Sequence, residues 1–271
     1  QWQESVDGYK QLLTTDQQYQ NSEAYQQDKD YWLKLLENKP APVTLTAKKS
    51  SALNFTQQAL RAKRKIPQAW LEQFNGLCQH NSEPHNPCHW AHGLNALVAA
   101  FIFQHTGSPY INLGQPVMNR MGSAALKIPA MVMNIVPLPI DLSGASTFNT
   151  LLKKVCRQLV ESKKHNRYRY EQLNAHLKQS QHAMDNAATP LRAFGPVVNV
   201  MPFDRAPKFS AAKTIIHPLS AGPVEDISFS FSLNQQILCS IARNDKTEKS
   251  RDGYTSSSSF VDMILTLTAS Y

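Results

Sequence analysis

Apolar and polar positions alternate along this chain with two different periods, and the switch between them predicts the elements. Tyr25, Trp32, Leu35 and Leu36 fall on one face of a helix predicted over residues 17–37, which Pro40 ends. Residues 54–66 read as a strand, and Pro67 starts a short helix through Cys78. Asn86-Pro87 is an N-cap and first-turn pair for an apolar helix over 88–105, with Gly107 as its stop. Residues 110–117 and 135–142 read as strands. Thr147 caps a helix through Lys164 whose stripe is Phe148, Leu151, Leu152, Val155 and Leu159, and a second helix covers 170–178. Residues 179–189 are polar and read as a loop. Strands follow at 196–203, 213–219, 226–233 and 236–243. In the third of these, Ile227, Phe229, Phe231 and Leu233 alternate with Ser228, Ser230 and Ser232, the period of a strand with one buried face. A Ser-rich loop over 244–259 precedes a closing helix with Phe260, Ile264 and Leu267. Helices interleaved with strands, several of them adjacent, predict an α/β sandwich with a mixed sheet flanked by helices.

The bulk composition narrows the class without choosing a function. A 271-residue chain with 42% hydrophobic and 18% charged residues matches an ordinary soluble globular protein with a sizeable core. The longest apolar run, eight residues from Ala96 to Phe103, is too short to span a bilayer. Four cysteines do not form a disulfide-dense pattern, and reduced thiols in a cytoplasmic protein are the simpler expectation. The net charge of +8 is concentrated. Seven basic residues (Lys153, Lys154, Arg157, Lys163, Lys164, Arg167 and Arg169) stand between positions 151 and 170 against one acid, Glu161. Such a face invites an anionic partner, but no nucleic-acid-binding motif accompanies it.

Local signals for chemistry are few. Cys78-x-His80 and His85-x-x-Cys88-His89-x-x-His92 bring metal-ligating residue types together, in a spacing that matches no standard zinc pattern. Ordinary packing is the favoured reading there, and no metal is expected. Nucleotide-binding loops and the G-x-S-x-G nucleophile elbow are absent from the sequence.

Three motifs stand in order: Gly114-Gln-Pro-Val-Met-Asn-Arg120, Met131-Val-Met-Asn-Ile-Val-Pro-Leu-Pro139 and His165-Asn-Arg-Tyr-Arg-Tyr-Glu171. They resemble the G-x-P-x-x-x-R, G-x-x-x-N-x-x-P-L and H-Q-x-x-P-x-E segments of nonribosomal peptide synthetase condensation domains, in the C-terminal half. Tyr25-Gln-Gln-Asp-Lys-Asp-Tyr-Trp32 resembles the family helix that ends in aromatic-Trp. Gly122-Ser-Ala-Ala-Leu126, Gly195-Pro-Val-Val-Asn-Val and Ala221-Gly-Pro-Val-Glu-Asp-Ile-Ser resemble enterobactin-synthetase-type members. Departures at Ala130-Met131 and Arg169 point to the same branch.

The resemblance implies one lobe of a chloramphenicol-acetyltransferase-like fold, with residues 1–40 a linker helix from an N-terminal lobe and 41–271 the C-terminal lobe proper. It implies amide-bond formation between carrier-bound thioesters, in a siderophore pathway. The cofactor is not one bound tightly by this chain; the phosphopantetheine arm of a carrier protein brings the substrate. Expected partners are the N-terminal lobe, carrier proteins and adjacent synthetase domains, with neither nucleic acid nor membrane. The family's catalytic H-H-x-x-x-D-G is not in these residues; at Asp7-Gly8 the histidine positions hold Trp2 and Gln3. None of the nine histidines heads an H-x-x-x-D, as related acyltransferases require. The chain alone is therefore expected to be inactive, the alternatives being a noncatalytic carrier-docking module or a stand-alone acyltransferase.

Expected tunnel residues are Asn134, Asn199, Met131, Met133 and Arg120. Asn134 could equally bond backbone at a strand start, and Arg120 could serve a structural ion pair. Lys153, Lys154, Arg157 and Lys164 are the expected carrier-docking residues, or else a solvated face.

Overall fold

The computed structural model describes residues 2–43, 45, 59–120, 123–145, 147–182, 193–201, 227–234 and 236–244. The strand predicted at 213–219, the start of the one at 54–66, residues 183–189 of the loop, all but Asn244 of the Ser-rich segment and the closing helix lie outside them.

The helix predicted over 17–37 is divided, its first residues ending an earlier helix, α1 (Trp2–Gln20), and the remainder forming α2 (Glu23–Leu36). Ser22 makes the break: its hydroxyl accepts from the Tyr25 amide as an N-cap, and its own backbone is extended. Asp7-Gly8 lies inside α1. Next come β1 (Ala59–Ile66), α3 (Gln68–His80), α4 (Trp90–Thr106) and β2 (Tyr110–Val117). His89, not Asn86, occupies the N-cap position of α4, because Asn86 is held in a bridge with Glu83. Gly107 ends α4 at φ +67°, a conformation that side chains with a Cβ resist. A single 3-10 turn (Ala124–Lys127) interrupts the long link to β3 (Asn134–Asp141). Helices α5 (Phe148–Lys163) and α6 (Tyr170–His182) then lead to β4 (Val197–Met201), β5 (Ile227–Asn234) and β6 (Gln236–Asn244). Thr147 caps α5 by accepting from the Thr150 amide, as its position predicts.

The strands form one mixed six-stranded sheet in the order β1-β6-β5-β4-β2-β3. β2 runs antiparallel to β3 and parallel to β4, and β4 is parallel to β5. The main core lies where α3, α4 and α5 cover one sheet face: Leu94, Leu97, Phe101 and Ile102 meet Ile111, Leu113, Phe229 and Phe231. Ten residues of α4 are buried, so this helix is apolar all round rather than striped. A second cluster gathers Trp32 of α2, Leu173 and Leu177 of α6, Tyr168, Phe194 and Val136.

The β2–β4 junction leaves no room for a side chain at Gly114. A Cβ there would sit 2.6 Å from the Phe194 ring, and the Gly114 amide donates to Pro196 O at 2.8 Å. Asn112 reinforces the junction by donating to Ala193 O at 2.5 Å.

Candidate functional site

The three motifs, separated in sequence, converge on one wall. Asn119, at φ +48°, donates to Asn166 O at 3.0 Å. Asn134 is buried at the start of β3 and donates both amide hydrogens, to Asn166 O at 2.9 Å and Tyr168 O at 2.8 Å. Its oxygen accepts from the Tyr170 amide at 3.1 Å. Arg169 donates to Met133 O at 3.3 Å. Arg120 closes the 120–130 loop by donating to the carbonyls of Ala125 and Ile128, at 2.7 and 2.9 Å, and to that of Ala130. The ion pair considered for it is replaced by carbonyl oxygens.

The aromatic-Trp end of α2 docks on the third motif. Trp32 is fully buried and its indole donates to His165 O at 2.9 Å, while Tyr31 stacks on the His165 ring at 3.9 Å. His165 also meets Asp28 at 2.7 Å, and Tyr19 donates to the same carboxylate at 2.6 Å. Burial and that carboxylate push the Tyr19 phenol well above its usual range. Helices α1 and α2 are thereby tied to the segment that follows α5.

An open cavity of about 1150 Å³ lies between α1, the start of α4, the end of α5 and the β2–β3 link. Its rim is basic, with Lys163, Lys164, Arg167 and Arg169; its floor includes Leu138, Val136 and Val200. Three of its lining carboxamides, Asn95, Gln115 and Asn166, have a buried oxygen without a hydrogen-bond partner. Such acceptors cost about 1–3 kcal/mol each when left unmet, and a donor that reached them on binding would recover that cost. His89 and His92 also line it, their rings 3.8 Å apart. Burial pushes both imidazoles down, His92 to about 4, so both are neutral at pH 7.

The expected site residues are distributed unevenly around this space. Met131 lines the cavity and is 78% exposed. Met133 is also exposed, and Arg120 and Asn134 hold the backbone around it. Asn199 is half-buried in β4 opposite Ser230; since its neighbour Val200 lines the cavity, alternation turns Asn199 to the other side. On α5, Lys153 is exposed, whereas Lys154 donates to the carbonyls of Asp141 and Ser143 at 3.1 and 2.9 Å. Arg157 grips Glu83 with two bonds, at 3.0 and 2.6 Å, and Lys164 pairs with Glu161 at 2.5 Å. Sequence reasoning passed over Asn95, Gln115 and Asn166, because a lone carboxamide has no pattern until the fold shows it unpartnered.

The thiols also differ from expectation. Cys88 and Cys156, 68 positions apart, are joined with Cα atoms 5.6 Å apart; Cys78 is free and buried. Burial pushes the Cys78 thiol up to about 12. No helix among the described residues is long and apolar enough to cross a membrane.

A fold of this topology, with these motifs packed on one cavity, defines a condensation-type α/β domain. The family model for the condensation domain matches residues 1–236, and the chain belongs to that family. It is 32% identical over 217 residues, 80% of the chain, to the dimodular nonribosomal peptide synthase of Bacillus subtilis (strain 168), covering 8% of that protein. It is 28% identical over 236 residues, 85% of the chain, to enterobactin synthase component F of Escherichia coli (strain K12), covering 17% of it. Among solved structures, the starter condensation domain of rhizomide synthetase RzmA, bound to C8-CoA and Leu-SNAC, matches with a TM-score of 0.78 at 27% identity, covering 94% of this chain and 55% of that one. VibH, a condensation enzyme, matches with a TM-score of 0.75 at 26% identity, covering 96% and 58%. The chain thus spans a small part of its curated relatives and little more than half of these solved chains.

Proposed function

We propose that this chain is the C-terminal lobe of a synthetase condensation domain and forms one wall of the tunnel in which a carrier-bound amine attacks a carrier-bound thioester. The observation that carries the reading is the convergence of three family motifs on a cavity with unpartnered acceptors and a basic rim. The arm of a carrier protein supplies amide N–H groups and a phosphate, and the wall offers a complement to each. Asn95, Gln115 and Asn166 accept from the amides, and Lys163 and Arg167 face the phosphate. Met131 lines the path, with Met133 beside it, while Arg120 and Asn134 shape it through the backbone they hold. Asn199 is outside this wall. Residues 1–40 act as the connection to the N-terminal lobe: α1 exposes Val6, Tyr9 and Leu13, a stripe that suits a second lobe. The relatives named for enterobactin and vanchrobactin favour a siderophore product, and a cytoplasmic synthetase is part of the same reading.

Gln115→Met tests the wall. It keeps the side chain's length and removes the unpartnered oxygen, so in the complete synthetase kcat/KM for carrier-bound substrates is expected to fall roughly 5–30-fold, the worth of about 1–2 kcal/mol, with Tm unchanged. Turnover equal to wild type would remove the carboxamide from the substrate path.

Carrier docking is tested best at Lys153, since Lys154, Arg157 and Lys164 already have partners in the fold. Lys153→Glu is expected to slow carrier encounter at low salt, with the difference shrinking as screening shortens to about 8 Å near physiological ionic strength. An on-rate indifferent to both the substitution and salt would return α5 to a solvated face.

A further inference from the structure

Cys88, His92 and Cys156 form a cluster that the family reading does not use. Their ligand atoms lie within 4.8 Å of one another, on the wall where His92 lines the cavity. A tetrahedral zinc ion holds two thiolates, at about 2.3 Å each, roughly 3.8 Å apart, so a small parting of the two sulfurs once their bond opens suffices, with a His92 nitrogen already within 4.8 Å of both. Its frame is held from several sides. Ser82 accepts from the Cys88 amide at 2.6 Å and donates to Cys88 O at 3.0 Å. Glu83 and Asn81 of the same loop bond Arg157 and Asn149 of α5, the helix that carries Cys156. His92 stands four residues after Cys88, and its Nδ1 lies 3.2 Å from Pro87 O. With Nδ1 donating to that carbonyl, Nε2 keeps its lone pair, the arrangement that orients imidazole ligands in metal sites.

We propose that Cys88, Cys156 and His92 are a zinc-class metal site when the sulfurs are reduced, and that the Cys88–Cys156 disulfide is its oxidised, metal-free form. A dithiol reductant opens the bond: it gives two electrons and two protons, leaves as its own disulfide, and yields two protein thiols. A divalent ion then displaces the two thiol protons and takes the His92 nitrogen as third ligand. Three protein ligands leave a fourth position for water or a donor from the cavity, the pattern of an open site rather than a closed structural one. The ion would hold the 81–89 loop against α5 at the same place as the disulfide. The assignment stands apart from the condensation reading, because none of its three ligands carries a role in that reading.

Cobalt(II) is the probe. The full chain is reduced with dithiothreitol, freed of it anaerobically, and titrated with cobalt while sulfur-to-cobalt charge-transfer absorption is recorded. One equivalent is expected with that band, displaced by zinc, absent from Cys88→Ser and Cys156→Ser, and weakened tenfold or more in His92→Ala. The oxidised wild-type chain controls for misfolding of the variants: it is expected to lack the same equivalent and to recover it on reduction. A reduced chain with free thiols confirmed by titration but no thiolate–cobalt band overturns the proposal. So does a band of undiminished strength in either serine variant.

Discussion

Residues 1–271 alone are expected to form no amide product from carrier-bound donor and acceptor above a no-protein control. The reaction needs a group that orients the attacking amine or takes its proton, and a positioned base contributes about 10²–10⁴-fold. The described histidines with visible partners are otherwise engaged. His165 meets Asp28 and stacks under Tyr31, His105 lies 2.9 Å from Phe101 O, and His176 lies 2.7 Å from the Tyr168 hydroxyl. Among the described residues, His89 and His92 are the histidines that line the cavity, and a group held near 4, as His92 is, accepts a proton poorly at neutral pH. On the proposed reading as the C-terminal lobe, the facing wall of the tunnel belongs to the other lobe, so these residues alone would not supply a bound near-attack geometry. Supplying an H-H-x-x-x-D-G lobe in trans is expected to restore part of the turnover. Product from residues 1–271 alone, lost in His89→Ala or His92→Ala, would instead establish a stand-alone acyltransferase.

That expectation rests on features of unequal legibility in the sequence. The α5 stripe and the serine alternation of β5 announced their buried faces because a repeated period is a local signal: Leu151, Leu152, Val155, Phe229 and Phe231 are all in the core. Gly107 was readable because a left-handed residue at a helix end favours glycine. Helix α1 was not, for its apolar residues are sparse: Val6, Tyr9 and Leu13 remain exposed, and the buried Tyr19 at its end makes no repeated period on its own. Asn86-Pro87 carried the right residues for a cap, yet the bridge to Glu83 placed the helix start three residues later. The site itself was legible only as motifs. That Asn119 and Asn134 share one carbonyl, that Arg120 binds carbonyls rather than an acid, and that Cys88 meets Cys156 are all consequences of chain crossing.

Replacing Asn134 by leucine is expected to destabilise the domain by about 3–5 kcal/mol, read as a lower urea midpoint with an unchanged slope. The side chain is buried and is the shared partner of three backbone groups: the carbonyls of Asn166 and Tyr168, and the amide of Tyr170. Leucine, of similar volume, leaves Tyr168 O and the Tyr170 amide without that partner inside the fold, at about 1–3 kcal/mol per buried group, while Asn166 O keeps the Asn119 donor. Asparate at the same position would keep the acceptor for Tyr170 but lose both donors and bring a carboxylate against two carbonyl oxygens, so Asn134→Asp is expected to be no milder at neutral pH. The damage should be local in origin and global in effect, because the 165–170 segment also carries Tyr168 into the second core and His165 onto Trp32. In the complete synthetase, turnover per folded molecule is expected to hold for Asn134→Leu at temperatures where the protein remains native, since the amide's two hydrogens already have acceptors within the chain. A variant with near-normal stability and a hundredfold loss of turnover would place the Asn134 amide in direct contact with substrate instead.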